Sequence, residues 1–298
     1  MPEDPQEVRI PKTDEDFSQR LQDFNKYRIA SKWEGVFNTG RRFKVHKNEL
    51  PLKPTSIREL EAHPFKAAFK EAQKLYLQEH EYIGSFKEVK RSDTTGKQVL
   101  GCMWVFTYKL DKHGFLVKCK ARLVVCGNQQ EPGDLPTRAT TLASTTFRTL
   151  MAITAQFDLE TRQLDVVNTF VNCELDKVVY MRLPPGFEKP GKVFLLRKAL
   201  YGLRRSPLLW QTKLTEAFRS LGFTLLAQEP CVALMKGVVT FYYVDDIVFI
   251  YREKDKALAD ETIVGLKRQI RMTDYKELKW FLGIYILRDR RNRLLWLS

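Results

Sequence analysis

The run Val238–Tyr251 reads Val-Val-Thr-Phe-Tyr-Tyr-Val-Asp-Asp-Ile-Val-Phe-Ile-Tyr, β-branched and aromatic throughout and broken only by Asp245 and Asp246. Two apolar half-runs with almost nothing between them predict strand, tight turn, strand. Flanks this apolar do not suit an edge hairpin in solvent, so the turn is expected at the rim of something buried. Two-residue turns normally recruit Gly or Asn, because they need positive φ, and neither is here. Placing the Asp pair at the tip costs local strain and like-charge repulsion, and a cost of that kind points to a site. Two fixed carboxylates without His or Cys suit a hard cation such as Mg²⁺. The competing reading is a solvated tip, with both acids outside simply because they are charged.

A buried hairpin needs a core around it. The chain has 298 residues, 44% of them hydrophobic and 12% aromatic, enough for one large domain or two or three subdomains. Its 50 Lys plus Arg against 36 Asp plus Glu give a formal charge of +14. Such an excess draws polyanions, nucleic acid being the commonest partner implied. The five cysteines form no CxxC pair, and His46, His63, His80 and His113 form no ligand-like cluster. A zinc site or disulfide framework is therefore not expected, and a reducing compartment is. Met1-Pro2-Glu3-Asp4-Pro5 does not resemble a signal peptide, and no apolar run is long enough to span a bilayer. A soluble intracellular protein with no membrane partner is expected.

Residues 1 to 55 are charged with little period and are read as a weakly ordered extension with one helix at most. Leu60, Phe65, Ala68, Phe69, Ala72 and Leu75 predict one or two amphipathic helices before residue 80. Leu100–Leu110 and Phe115–Val125, joined by a turn at 111–114, predict a hairpin with Lys109, Lys118, Lys120 and Arg122 along it. A helix is expected over 144–156, then a strand ending at Gln163-Leu164-Asp165-Val166. The next begins with Ser206 as N-cap followed by Pro207, and stops at Gly222. Another helix is expected over 255–271, with Leu258, Ile263, Leu266 and Ile270 inward, and one strand over 279–286. Strands and helices mixed without βαβ regularity indicate an α+β fold.

Two-metal chemistry, with ions about 3.5–4 Å apart, needs carboxylates from more than one segment. Asp165, an acid inside an apolar strand, is the best distant candidate; its plainer reading is a strand-end residue capping the next turn. A strand Asp, an aromatic five residues on, and a Tyr-x-Asp-Asp hairpin much later resemble the palm motifs of reverse transcriptases. Lys120–Val125, Gln163–Val166, Val179–Phe187, Ala199–Pro207 and Phe281–Ile284 narrow the resemblance to copia-type long-terminal-repeat retrotransposons, in that family's order. It covers about residue 60 to the end.

The resemblance implies an RNA-directed DNA polymerase with a right-hand fold. Fingers are expected over 56–135 and 172–207, palm over 136–171 and 208–286 with a ferredoxin-like sheet, and the start of a truncated thumb over 287–298. It implies that Asp165, Asp245 and Asp246, helped by the Val166 carbonyl, hold two Mg²⁺ ions, Mn²⁺ being the substitute. Lys109 and Arg122 are implied to meet the triphosphate, Phe170 to lie under the incoming sugar and exclude a 2′-hydroxyl, and Tyr201 and Gly202 to line the nucleotide pocket. Phe281, Leu282 and Gly283 are implied to hold the primer terminus. Partners are an RNA or DNA template with its primer and deoxynucleoside triphosphates; oligomeric state is left open. Read without the family, Lys109 and Arg122 are a solvated hairpin face, and Phe170, Trp280 and Phe281 are core aromatics.

The chain departs from the family pattern at Val167-Asn168-Thr169, where Lys-Thr-Ala is common, at Arg205 for Gln and at Cys173 for Gly. None is a metal ligand, though Thr169 bears on the shape of the nucleotide pocket. Two other classes compete: a catalytically silent nucleic-acid-binding remnant, and a metal-dependent nuclease using the same acids.

Overall fold

The computed structural model describes residues 45–111, 113–131 and 135–298; most of the N-terminal extension lies outside them. The chain divides into two compact units. The first takes the chain up to Gln129 together with Val179–Leu196, and the second takes Gln130–Val178 and Arg197–Ser298. These boundaries, at 129/130, 178/179 and 196/197, differ by 6, 7 and 11 residues from the expected 135/136, 171/172 and 207/208. Residues 287–298, expected to open a further subdomain, belong to the second unit.

In chain order the elements begin with helices α1 (Ile57–Glu61) and α2 (Lys66–Tyr82), then strands β1 (Phe86–Lys90), β2 (Val99–Leu100), β3 (Cys102–Leu110) and β4 (Leu116–Val125). Helix α3 (Ser144–Gln156), β5 (Glu160–Val166), β6 (Glu174–Arg182), β7 (Lys192–Lys198) and α4 (Ser206–Ser220) follow. Next are β8 (Thr224–Leu225), β9 (Val232–Met235), β10 (Val238–Tyr243), β11 (Asp246–Tyr251) and α5 (Lys256–Gln269). Strands β12 (Met272–Lys276), β13 (Trp280–Phe281), β14 (Ile284–Asp289) and β15 (Leu294–Leu297) complete the chain. The content is mixed α and β, as expected.

In the first unit β3 and β4 form the antiparallel hairpin that the alternation predicts. Trp104, Phe106, Ala121 and Leu123 turn inward and are buried, and Phe69 of α2 packs edge-on against Phe106 at 5.1 Å. The opposite face carries Lys109 directly across from Lys118, and Arg122 across from Val105.

The second unit is built on a six-stranded sheet in the order β12-β5-β11-β10-β9-β8. Its first four strands arise from the succession β5-α4-β10-β11-α5-β12, and β5 to β12 are joined by antiparallel pairings. Numbered one to four along the chain, those strands lie in the order 4-1-3-2. The core holds Leu164, Phe241, Ile247, Val248 and Phe249 from the sheet, Trp210, Leu214 and Phe218 from α4, and Ile263 and Leu266 from α5. Burying so many large apolar side chains, at about 1.5–3 kcal/mol each, is what fixes the strands' register.

Three local expectations are corrected. Ser206 is not the N-cap of α4 but its first residue; Arg205 caps without a side-chain bond, and the Ser206 hydroxyl donates to the Leu200 carbonyl at 2.6 Å. Leu258, on the face read as inward, is more than a third exposed, because α5 starts at Lys256 and its buried stripe runs through Ala259, Thr262, Ile263 and Leu266. The strand read over 279–286 is two strands. Leu282 and Gly283, both at positive φ (50° and 83°), form a two-residue turn between β13 and β14, a conformation glycine adopts freely and leucine does not.

Candidate active site

Strand β11 lies antiparallel beside β5, with Asp246 directly opposite Asp165. Directly opposed residues of an antiparallel pair project to the same face, with Cβ atoms about 4.5–5.5 Å apart. Two carboxylates far apart in sequence are thus brought face to face. Asp245 is one residue before Asp246, and its carbonyl accepts from the Val166 N–H at 2.9 Å.

The turn joining β10 to β11 is Val244–Asp245, with Asp246 already the first residue of β11. The tip expected at Asp245–Asp246 therefore sits one residue earlier, and the strain falls on Val244, at φ 54°. A β-branched residue in the left-handed region costs of order 1–3 kcal/mol and persists only where its surroundings dictate it. They do so here: the buried indole of Trp210 on α4 donates from Nε1 to the Val244 carbonyl at 2.6 Å.

Gln163, two residues before Asp165, donates from Nε2 to Asp246 Oδ1 at 2.9 Å. Burial pushes the Asp246 carboxyl up to about 6 from an ordinary 3.8; the Gln163 hydrogen bond opposes this, and the charges of Asp245 and Asp165 add to it. Tyr275 stands at a bulge of β12, where the pairing with β5 slips between Asp274 and Lys276. Its half-exposed phenol is raised first by desolvation and then by Asp165 and Asp246. On the other side of β5, Arg162 grips Asp274 at 3.0 Å and also bonds Asp260, tying β5 to β12 and α5. Burial acts to raise Asp274, but hydrogen bonds from Arg162, the Lys276 N–H and Lys267 outweigh it and hold the carboxyl well below the usual range.

The donor set is all oxygen and negatively charged, and one carboxylate is held partly desolvated against its neighbours' charge. That chemistry fits a hard divalent cation. Among the described residues no three acidic, histidine or cysteine side chains close into a group spaced to hold a metal ion as they stand.

The other expected site residues divide between the units. Lys109 and Arg122 lie on the β3–β4 hairpin of the first. Phe170, Tyr201 and Gly202 lie in the second. Asn168, at φ 51°, leads a short 3-10 turn over Thr169–Asn172. That turn buries Phe170, whose ring meets Tyr201 edge-on at 4.6 Å. Gly202 sits at φ 94°, where only glycine is unstrained. Thr169, singled out as a departure, is fully buried. The Phe281 ring is also fully buried, stacked on Phe147 at 5.0 Å, so residue 281 can reach a ligand only through its backbone. Trp280, read as a core aromatic, is 55% exposed.

Gln163, Trp210 and Tyr275 carry no expected role in the sequence. For Gln163 a signal was present: strand alternation puts it on the face of Asp165. Trp210 looked like one residue of an apolar helical stripe, and nothing in the sequence marks the bulge at Tyr275.

Against known proteins, the family model described as reverse transcriptase (RNA-dependent DNA polymerase) matches residues 86–295. The chain is 34% identical over 255 residues to the Retrovirus-related Pol polyprotein from transposon TNT 1-94 of Nicotiana tabacum, covering 82% of this chain and 19% of that protein. It is 36% identical over 195 residues to the corresponding polyprotein from transposon RE1 of Arabidopsis thaliana, covering 62% and 13%. It is 25% identical over 276 residues to the Transposon Ty1-DR4 Gag-Pol polyprotein of Saccharomyces cerevisiae, covering 84% and 17%. The chain thus belongs to the reverse transcriptase family, in its copia-type retrotransposon branch. It spans less than a fifth of the length of these relatives. No helix among the described residues is long and apolar enough to cross a membrane.

Proposed function

We propose that the chain is an RNA-directed DNA polymerase that adds deoxynucleotides to a primer 3′-hydroxyl, with Asp165, Asp245 and Asp246 as its catalytic carboxylates. The observation that carries this is the direct opposition of Asp165 and Asp246 across β5 and β11, with Asp245 in the adjoining turn. The order 4-1-3-2 in the second unit supports a ferredoxin-like palm, and the first unit, with its basic hairpin, serves as fingers.

The three carboxylates and the Val166 carbonyl are the groups to hold two magnesium ions. Bound there, the ions supply Lewis-acid activation of the 3′-hydroxyl and neutralise charge on the triphosphate. The residues' own work is to place and shape. Arg122 offers a planar fork to phosphate oxygens and Lys109 a mobile point charge, suiting a triphosphate that must bind, react and leave. Phe170, clamped by Tyr201, forms a rigid floor for the sugar, and Gly202 lets the backbone approach closely. The exposed turn Leu282–Gly283 and the Phe281 backbone hold the primer end. Duplex binding runs mainly through phosphates, so affinity falls with salt and shows little sequence preference.

The test is extension of oligo(dT) on poly(rA) with Mg²⁺ or Mn²⁺. Asp165→Asn or Asp245→Asn is expected to lower incorporation by about 10³-fold or more, several kcal/mol of transition-state stabilisation being at stake, with the fold retained. Robust extension by either variant refutes the assignment. Binding without extension by the unmodified chain identifies a silent remnant, and template loss without added nucleotides a nuclease.

A further inference from the structure

Gln163 uses one buried nitrogen on two elements. Besides Asp246 Oδ1 at 2.9 Å, its Nε2 donates to the main-chain carbonyl of Trp280 at 3.1 Å, and the residue is only 9% exposed. Both N–H bonds of the amide are thereby committed. Trp280 is the first residue of β13, which has only two residues before the Leu282–Gly283 turn. A strand so short has little register of its own; it pairs with β14 through Trp280 opposite Tyr285 and Phe281 opposite Ile284, and the Ile286 N–H donates to the Lys279 carbonyl at 3.0 Å.

Contacts from outside the β13–β14 hairpin also hold this segment. The Phe281 ring, packed on Phe147 and Phe241, sets its depth, and the Leu278 N–H donates to Thr161 Oγ1 at 3.2 Å, near the opposite end of β5 from Asp165. Neither touches a carboxylate of the candidate site. Gln163 does, and its side chain makes a single-residue link from Asp246 to the strand entering the turn.

We infer that Gln163 is a positioning residue that sets the placement of the Phe281–Gly283 turn relative to the Asp246 carboxylate, and so delivers a primer 3′ end to the acids. This rests on the polymerase reading above. An amide serving only to satisfy a buried carboxylate needs one donor; spending the second on a backbone carbonyl of a different strand is what makes it a spacer. Geometry of this kind acts on the reacting step rather than on affinity, and a displacement of about 1 Å costs as much as 10²-fold in rate.

The test uses the purified chain with Gln163→Met, which keeps length and packing but removes both donors, and Gln163→Asn, which keeps the amide but is one methylene too short to span the gap. With the unmodified chain extending primer, both variants are expected to lose about 10- to 100-fold in kcat. KM for the nucleotide and Kd for primer–template should stay within about 2-fold, and the loss should persist at saturating Mg²⁺. A 2-aminopurine at the primer 3′ end, read without nucleotide, should change its fluorescence in the variants' complexes, a signal independent of turnover. If Gln163→Met does not fold, Gln163→Asn carries the same comparison. Unmodified kcat, recovery at high Mg²⁺, or an unchanged 2-aminopurine signal overturns the positioning role. An unmodified chain that extends no primer refutes the polymerase reading instead, which separates the two failures.

Discussion

Replacing Trp210 by Phe tests whether the strained turn is held from outside. The substitution keeps an aromatic ring on α4 but removes the indole N–H that reaches the Val244 carbonyl at 2.6 Å. A buried acceptor that loses its partner costs about 1–3 kcal/mol, and the smaller ring leaves a cavity among Leu214, Phe218 and the sheet, adding about 1 kcal/mol. The expected loss of stability is therefore about 2–4 kcal/mol. Catalysis should suffer separately. Val244 sits at φ 54°, and without its anchor the strain of order 1–3 kcal/mol favours relaxation of the turn toward ordinary backbone. Asp245 and Asp246 move with it, so if about 1.4 kcal/mol is released this way, kcat falls about tenfold. Urea unfolding followed by far-UV circular dichroism gives the first quantity and single-turnover primer extension the second. Val244→Gly removes the strain without touching Trp210, so in that background Trp210→Phe should cost at least as much stability but markedly less kcat. Equal kcat losses in both backgrounds would show that the indole does not hold the turn, and no stability loss in either would refute the hydrogen bond.

Two further outcomes follow from the first unit. His80 is buried, stacked on Tyr76 at 4.0 Å, and burial lowers its pKa from an ordinary 6.5 to about 4. Between those values the unfolded chain takes up a proton that the folded one refuses. Stability from this residue is therefore intact above pH 6.5, declines as pH falls, and is lower by about 3 kcal/mol once pH reaches 4. His80→Phe should flatten that slope in urea titrations from pH 7 to 4, and parallel slopes would contradict it. On β4, Lys118 faces Lys109 directly, a like-charge opposition that costs about 0.2–1 kcal/mol. Lys118→Glu should raise stability by a similar amount while weakening primer–template binding and reducing the slope of log affinity against log salt by about 1. Tighter binding with an unchanged salt slope would exclude this face from nucleic-acid contact.

The features legible in the sequence are those that rest on periodicity. Helix α3 emerges at its expected bounds because Phe147, Met151 and Ala155 recur on one face, and the β3–β4 hairpin because buried Trp104 and Phe106 alternate with outward positions. The hairpin bearing Asp245 and Asp246 was equally clear. Its turn lies one residue earlier than the pattern predicts, because local pattern cannot tell which of Val244, Asp245 and Asp246 bears the positive φ; that is decided by Trp210 and Val166, distant in the chain. The same limit explains the break at Leu282–Gly283. An unbroken apolar run reads as one strand, and the leucine at φ 50° is tolerated only because the buried Phe281 ring and the partner strand β14 impose the reversal. The pairing of Asp165 with Asp246 was open to inference from the motif order but not from propensity, since register between strands 81 residues apart at this pair is set by the core.

The three bonds to the carboxylate turn reach different atoms: the Val244 carbonyl, the Asp245 carbonyl and the Asp246 side chain. Their donors sit on α4, at the end of β5 and within β5. A flexible Gly or Asn turn would need none of them, because its own conformational preference would suffice. A valine at positive φ reverses the dependence: the hairpin takes this shape only when the sheet and α4 have already packed, so the acids converge as a consequence of tertiary folding. The like charges of Asp165 and Asp246 add to that demand, since the same packing that aligns them also desolvates Asp246. Strain, repulsion and desolvation all oppose the arrangement, and bonds from α4 and β5 to three atoms of the turn hold it. In the polymerase proposed above, a cation shared between the facing strands would relieve that charge, which is why distant anchors rather than the turn itself hold the acids in place.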